Sequence, residues 1–428
     1  MRLSMFKNRV FPIIIMLVLV LISCGNKTKQ DSAQNIEAMN QVQDDNDTTS
    51  KNEIIVGANR IETYIPLLKG KRIGIVANQT SVIFKEITTS QKTSHSDNYS
   101  HLVDSLLALN IDVKKVFAPE HGFRGTADAG ELVKDGIDTK TKLPIVSLYG
   151  KNKKPSSEQL LGIDLVIFDI QDVGARFYTY ISSLHYVMEA CAEANIPVIV
   201  LDRPNPNGHY IDGPILEMKH KSFVGMHPIP VVHGMTIGEY AQMINGEKWL
   251  DNDVKCNLTV ISIKNYNHDK PYNLPIKPSP NLPNDVAINL YPSLCFFEGT
   301  NVSAGRGTSG QFQVYGSPFL DKDDYTFKFI PQPNEGAKHP KHKGEICYGE
   351  DLRDSKRLNK INLDYLIRAY QNSVGKQKFF NDFFIKLAGT TQLQQQITEG
   401  LSEVEIRNSW SEGLSEFKKT RRKYLIYD

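Results

Sequence analysis

Short apolar runs alternate with amphipathic segments through the first half of this 428-residue chain. Segments 101–110 and 182–195 carry apolar residues at helical spacing, and SSEQ at 156–159 has the capping-box pattern that begins a helix. Strands alternating with helices predict an α/β fold, with a Rossmann-like parallel sheet covered by helices on both faces. The runs that predict buried strands are RIGIVAN (72–78), VKKVFAP (113–119), LPIVSLYG (143–150), DLVIFDI (164–170) and PVIVLDRP (197–204).

The pattern changes past about residue 220, where prolines and short strands become frequent and the alternation with helices weakens. A second capping box, TIGE at 236–239, begins a helix that is expected to run to about Trp249. The tail from residue 360 onward is mainly helical in pattern. We therefore predict a Rossmann-like catalytic domain over residues 54–222 and a smaller α+β C-terminal domain over 223–428 that completes a cleft.

The N-terminus has the pattern of an export signal. Basic residues precede an apolar stretch, 11–22, that is too short to span a bilayer and is typical of a secretory signal. It ends in Ser23-Cys24, which resembles a bacterial lipobox, so residues 1–24 are predicted to be a lipoprotein signal peptide with Cys24 as the lipidated residue. The polar residues 25–53 are predicted to be a disordered tether. The expected location is the cell envelope, on the periplasmic face or the cell surface. The chain is expected to be attached to the membrane through its N-terminal lipid.

Charge and short motifs restrict the kinds of ligand that the protein is expected to bind. A net charge of +2 gives no indication of a nucleic-acid partner. The first strand-to-helix turn, ANQTS, lacks the G-x-G-x-x-G pattern, and no Walker-type loop occurs in the sequence, so the Rossmann-like sheet is not expected to bind a dinucleotide or a nucleoside triphosphate. The cysteines after the lipobox match no metal-binding spacing. We predict no cofactor and no metal.

Polar residues collect where the predicted strands end. Ligands of open parallel sheets bind outside the carboxyl ends of the strands, so these residues are candidates for a site. Each also has a plain structural explanation: Asp172 could cap a turn or pair with Arg176, His121 could be a satisfied structural histidine, and Tyr178 could simply pack. The strand ends supply Asn78, Glu120, His121, Arg124, Tyr149, Asp169, Asp172, Arg176 and Tyr178, and the later polar loops 278–284 and 296–312 add Asn281, Glu298 and Arg306.

Glu120 is the candidate with the weakest structural explanation. It lies in VFAPEHGFRG (116–125), where an apolar strand ends at Pro119 and two glycines free the backbone that follows. A carboxylate at the end of an apolar strand is partly desolvated, and desolvation favours the protonated form that a general acid needs. We therefore predict that Glu120 is a proton donor.

Several longer motifs occur together and in order. PEHGFRG, SLYG, FDIQDVGARFYTYISS, LDRPNPNG, HGMTIGE, PSPNLP and FEGTN-x-S-x-GRGT resemble the bacterial exo-β-N-acetylmuramidase family, formerly a domain of unknown function. The similarity runs from about residue 55 into the C-terminal tail and is densest over 72–320. It implies a glycoside hydrolase that removes N-acetylmuramic acid from the non-reducing end of peptidoglycan fragments, in a cleft between a Rossmann-like and a C-terminal domain. The glutamate of the PEHG motif is the favoured catalytic residue of that family and corresponds to Glu120; Ala304 stands where some members carry an acidic residue.

Glycoside hydrolysis requires a proton donor and a second group that stabilises or attacks the anomeric carbon. Our hypothesis assigns the first role to Glu120, with His121 tuning it. Asp169 or Asp172 is the candidate second carboxylate, and Glu298 is held in reserve. The acetamido oxygen of the substrate is the alternative nucleophile, so the stereochemical outcome stays open.

Muramic acid differs from glucosamine by a lactyl carboxylate, which bidentate arginine suits best. Arg124 and Arg176 are predicted to bind it, ahead of Arg306. The further predicted substrate-binding residues are Asn78, Tyr149, Tyr178, Asn281 and Glu298.

Other classes of function remain open from the sequence. A non-catalytic envelope lipoprotein that binds muropeptides or cell-wall sugars would use the same cleft. A metal-dependent hydrolase would use His121, His209 and His233, although no H-E-x-x-H or similar spacing occurs. Serine acyl transfer is weaker still, because the motif SDN at 96–98 lies in a polar insertion and no K-T-G follows.

Overall fold

The computed structural model describes residues 53–85, 98–124, 131 and 134–428. The predicted signal peptide, Cys24 and nearly all of the predicted tether lie outside these residues. Residues 54–428 form one unit. Within the described part of the chain, none of the helices has both the length and the apolar character needed to cross a bilayer.

The strands group into one large and two small sheets. Those described are, in chain order, β1 (Ile73–Ala77), β2 (Val82–Phe84), β3 (Tyr99–His101), β4 (Val113–Ala118), β5 (Gly136–Ile137), β6 (Pro144–Ser147), β7 (Leu165–Asp169), β8 (Val198–Leu201), β9 (Leu258–Ile261), β10 (Val314–Ser317), β11 (Phe327–Phe329) and β12 (Cys347–Asp351). Among the described residues the large sheet has seven strands in the order β5-β6-β4-β1-β7-β8-β9. All neighbours in it are parallel except β5, which lies antiparallel to β6 at the edge.

Helices cover both faces of this sheet. Those described are α1 (Ile61–Leu68), α2 (Leu102–Ala108), α3 (Ser157–Leu160), α4 (Tyr180–Glu193), α5 (Ile237–Gly246), α6 (Asp285–Leu294), α7 (Asp364–Gln371), α8 (Phe383–Ala388), α9 (Gln392–Thr398), α10 (Glu403–Asn408) and α11 (Ser411–Arg421). Because the faces are covered, every residue of β1, β7 and β8 is buried. The predicted α/β fold and the five predicted strands are confirmed.

Both predicted capping boxes are present. Ser156 accepts from the backbone N–H of Gln159, whose side chain accepts in return from the Ser156 backbone. Thr236 and Glu239 make the same reciprocal pair at the start of α5. That helix ends at Gly246, three residues before the expected end.

The parallel sheet continues past residue 222, where the sequence places the domain boundary. β9 pairs in parallel with β8, and α5 packs against both of these strands. The sequence pattern hides β9 because this strand lies at the edge of the sheet: of its residues Leu258–Ile261, only Ile261 is buried. The sheet layer therefore includes residues that the sequence assigns to the C-terminal domain.

Two apolar cores flank the sheet. One packs α1 and α2 against one face, with residues such as Tyr64 and Leu106. The other is continuous from the opposite face, through Phe168 and Ile181, to the C-terminal region, through Phe296 and Phe384. The C-terminal region also carries the small antiparallel sheet β10-β12-β11. One core thus joins the sheet to the segments that follow it.

Candidate active site

A cavity of about 270 Å³ opens at the carboxyl edge of the sheet. Segments before and after residue 222 line it. Its walls are largely aromatic, which is typical of a small-molecule site with a few polar groups for orientation. The predicted site residues that line the cavity are Glu120, His121, Tyr149, Tyr178, Asn281, Glu298 and Arg306.

Glu120 is held by hydroxyl groups at the rim of the sheet. The side chain is half-buried two residues after the end of β4. The hydroxyl of Tyr149 donates to Oε1 at 2.9 Å, and the hydroxyl of Thr179 donates to Oε2 at 2.6 Å. Both carboxylate oxygens are therefore fixed, one by Tyr149 after the end of β6 and the other by Thr179 at the start of α4.

The backbone after Glu120 turns sharply to present the next side chain. His121 adopts φ of 68° and Gly122 adopts φ of 76°, and the Gly122 N–H donates to the carbonyl of Pro119 at 3.0 Å. A left-handed conformation costs a non-glycine residue about 1–2 kcal/mol. His121 is only 3% exposed and lines the cavity. The unfavourable backbone conformation is therefore kept at a position where it directs a side chain to the cavity.

The opposite wall comes from the C-terminal region. Arg306 lies between two glycines with positive φ, and its Nη1 is 3.4 Å from Oε2 of Glu298. Its Nη2 donates to the carbonyl of Gly336 at 3.3 Å, and the same carbonyl accepts from the amide of Asn281 at 2.6 Å. Of the described lysines and arginines, Arg306 is the one that lines this cavity.

The two aspartates predicted as the second carboxylate lie away from the cavity. Asp169 is fully buried in a bidentate pair with Arg203, at 2.7 and 2.9 Å. Asp172 accepts from the backbone N–H of Gly174 at 2.7 Å and lies 3.6 Å from His233. Asp169 thus belongs to a buried ion pair and Asp172 to a turn, so neither aspartate faces the cavity. This corrects the sequence hypothesis and leaves Glu298 as the second carboxylate in the cavity.

Arg124 also lies outside the cavity. Its guanidinium donates to both oxygens of Asp138, at 2.8 and 3.3 Å, and lies 3.5 Å from Asp104. Burial raises the pKa of Asp138, but hydrogen bonds from Arg124 and Thr141 outweigh it and lower that pKa below its usual range. Arg124 is thus engaged with carboxylates of the protein, and the structure corrects its assignment to the lactyl group.

Arg176 has a structural position. It is 0% exposed, and burial lowers its pKa. Its guanidinium donates to four backbone carbonyls, those of Pro214, Ile229, Leu387 and Ala388, at 2.7 to 2.9 Å. Because α8 supplies two of these carbonyls and also lines the cavity, Arg176 holds the cavity wall and does not reach the cavity itself. Its assignment to substrate binding is corrected accordingly.

Replacing Arg176 by methionine should lower the free energy of unfolding by about 3–5 kcal/mol, because it leaves buried carbonyls without a donor. Urea denaturation followed by circular dichroism measures the change. Arg353→Met, which removes a surface ion pair with Asp351, is the matched control and should leave the midpoint unchanged. Equal midpoints for the two variants would contradict the structural role.

Asn78 supports Glu120 from behind. It is fully buried, and its amide donates to the hydroxyl of Tyr180 at 2.9 Å. That hydroxyl lies 3.4 Å from the carbonyl of Glu120. Burial and the nearby charge of Glu120 raise the pKa of Tyr180, so its hydroxyl stays protonated. Asn78 therefore reaches Glu120 through Tyr180 and is not among the residues that line the cavity.

Sequence reasoning missed several residues of the cavity. Thr179 contacts Glu120 directly, and its place in the FYTYISS motif beside Tyr178 was the available signal. Phe223, Tyr291 and Phe312 also line the cavity. Their aromatic side chains follow the same patterns as core residues, so the sequence offers no signal for them.

The three histidines of the metal hypothesis make separate contacts. His121 lines the cavity, whereas His209 bonds to Leu358 and to Arg357, and His233 is buried near Asp172. Among the described residues, no group of three or more His, Cys, Asp or Glu side chains is arranged to hold a metal ion.

Comparison with known proteins identifies the family. The model for the N-terminal part of exo-β-N-acetylmuramidase NamZ matches residues 73–286, and the model for its C-terminal part matches residues 289–427. The chain is 41% identical over 407 residues to the peptidoglycan β-N-acetylmuramidase NamZ of Bacillus subtilis strain 168, covering 89% of this chain and 93% of that protein.

Solved structures agree with this match. Two crystal structures of DUF1343 family proteins from Bacteroides fragilis resemble the chain, with TM-scores of 0.78 at 46% identity and 0.70 at 27% identity. Both matches cover 88% of this chain, and they cover 99% and 100% of the other chains. The resemblance noted in the sequence is confirmed, and the chain belongs to the exo-β-N-acetylmuramidase NamZ family.

Proposed function

We propose that this protein is an exo-acting β-N-acetylmuramidase that releases N-acetylmuramic acid from the non-reducing ends of peptidoglycan fragments. The observation that carries the proposal is the position of Glu120, held between two hydroxyl groups in an aromatic-lined cavity that also contains Arg306 and Glu298. Family membership supports the same activity.

Glu120 is the proton donor in this proposal. Its proton passes to the glycosidic oxygen while the bond from that oxygen to the anomeric carbon breaks, and the bonding electron pair stays with the leaving sugar. Glu298, in the opposite wall, is the candidate that stabilises the anomeric carbon or activates water. The acetamido oxygen of the substrate is the alternative to Glu298.

Arg306 is the proposed partner of the lactyl carboxylate. Arg306 lines the cavity, 3.4 Å from Glu298 and 3.3 Å from the carbonyl of Gly336, whereas Arg124 and Arg176 are not among its lining residues. A guanidinium at the cavity surface offers planar N–H donors that match a carboxylate. The aromatic walls suit the sugar ring and its methyl groups.

We further propose that the chain is a lipoprotein of the cell envelope, anchored through Cys24 and separated from the membrane by residues 25–53. The short apolar signal and the Ser23-Cys24 junction support this proposal. A peptidoglycan substrate is consistent with that location. Loss of membrane association in a Cys24→Ala variant would test it.

Purified protein should release nitrophenol from the 4-nitrophenyl β-glycoside of N-acetylmuramic acid and free N-acetylmuramic acid from a muramyl disaccharide. The corresponding N-acetylglucosamine glycoside is the matched control and should react much more slowly. Binding of the disaccharide without release of sugar would support the non-catalytic alternative. Loss of activity with a chelator, restored by added metal, would support the metal-dependent alternative.

A further inference from the structure

Thr179 occupies the N-cap of α4 but does not cap it. Threonine at this position normally accepts a hydrogen bond from a backbone N–H of the first turn. Here the residue has helical dihedrals, φ of −72° and ψ of −6°, and its side chain makes no capping bond. Its backbone carbonyl accepts from the N–H groups of Ser182 and Ser183, so the helix begins without the hydroxyl.

The Thr179 hydroxyl is directed to Glu120 instead. The distance from Oγ1 to Oε2 is 2.6 Å, which is within the usual range for a hydroxyl that donates to a carboxylate, and Thr179 is only 8% exposed. The other oxygen of Glu120 accepts from Tyr149, whose ring lies 6.2 Å from that of Phe223 in the cavity. The Thr179 hydroxyl therefore contacts the proposed proton donor and takes no part in the hydrogen bonds that begin α4.

We propose that Thr179 is a positioning residue that fixes the direction of the Glu120 carboxyl group and stabilises its ionised form as the proton leaves. This inference rests on the proposed function. When the Glu120 O–H bond breaks and the proton bonds to the glycosidic oxygen, negative charge appears on the carboxylate. A donor already in place for that charge lowers the energy of the transition state more than that of the ground state.

The inference sets the direction of a pH effect. A hydroxyl that donates to a carboxylate favours the charged form of the carboxyl group over the protonated form. A general acid must start protonated. The high-pH limb of the kcat/KM profile should therefore move to higher pH when the hydroxyl is lost, while the maximal rate falls.

The test compares Thr179→Val, which keeps the shape and removes the hydroxyl, with Thr179→Ser, which keeps the hydroxyl. On the nitrophenyl muramic acid glycoside, Thr179→Val should lower kcat about 10–100-fold with KM nearly unchanged, and should move the high-pH limb upward. Thr179→Ser should stay within a few-fold of wild type. Thr179→Ala serves as the second hydroxyl-free variant if the valine variant does not fold.

Other results would overturn the inference. The inference would be wrong if Thr179→Val kept the wild-type kcat and the wild-type high-pH limb. It would also be wrong if Thr179→Ser lost as much kcat as Thr179→Val, because the effect would then come from packing of the methyl group.

A readout that does not depend on turnover separates the two proposals. In a crystal structure of Thr179→Val, the Glu120 carboxyl group should leave the direction in which Thr179 holds it. An inactive wild-type protein would defeat the proposed function, and an unmoved Glu120 carboxyl group would defeat the role of Thr179.

Discussion

Replacing Glu120 by glutamine should lower kcat on a muramic acid glycoside about 10²–10⁴-fold, the contribution expected of a general acid. Glutamine has the shape of glutamate and keeps hydrogen-bonding groups for Tyr149 and Thr179, whose hydroxyls can donate or accept. It has no acidic proton to transfer to the glycosidic oxygen. The loss should therefore fall on kcat, with binding of free N-acetylmuramic acid retained.

The matched control is Glu412→Gln, at an exposed position in the first turn of α11. This variant should keep wild-type kcat. Thermal unfolding of Glu120→Gln within a few degrees of wild type would show that the fold is intact. Full activity in Glu120→Gln would assign proton donation to another group and remove the central element of the mechanism.

Replacing Arg306 by alanine should lower kcat/KM on the muramic acid glycoside about 10–100-fold, the range expected for losing charge-assisted hydrogen bonds to a carboxylate. The effect on the N-acetylglucosamine glycoside should be much smaller, because that sugar has no lactyl group. The preference of the enzyme for muramic acid should therefore shrink. Arg306→Lys should recover only part of the loss, since an ammonium cannot match a carboxylate with two parallel donors.

Arg353→Ala provides the control for the loss of an arginine, because its ion pair with Asp351 is on the surface. Its ratio of activities on the two sugars should equal that of wild type. An equal loss on both sugars in Arg306→Ala would point to damage of the cavity wall, through Glu298 or Gly336, and would argue against recognition of the lactyl carboxylate.

The sequence predicted local features of the fold well. Apolar runs located the main strands, since a strand buried on both faces must be apolar throughout. Capping boxes located two helix starts, because the pattern itself makes the hydrogen bonds. β9 was not predicted, because an edge strand with mixed burial has neither a continuous apolar run nor a capping box.

The arginines show where sequence reasoning stops. The carbonyl acceptors of Arg176 belong to residues 38, 53, 211 and 212 positions away in the sequence. No local sequence pattern predicts hydrogen bonds between residues so far apart. Asp169 likewise pairs with Arg203, 34 residues along the chain. A charge at the end of a strand marks the neighbourhood of a site, but three-dimensional contacts decide whether it faces a ligand or the protein.

Glu120 was predictable for the opposite reason. Neighbouring residues in the sequence determine its position: the strand before it ends just before Pro119, and the turn after it needs Gly122. The hydroxyls that hold it come from Tyr149, after the end of β6, and from Thr179, at the start of the helix α4 that follows β7. The sheet topology therefore had to be known before Thr179 could be recognised. The order of the strands brings these ends to one edge.

The continuous apolar core between the sheet and the C-terminal region has a consequence for turnover. Separating these regions would expose residues such as Phe296 and Phe384 and would break the four carbonyl contacts of Arg176. A hinge between them is therefore too costly to open in each catalytic cycle. We therefore expect sugar to enter and leave the cavity while this shared core stays intact.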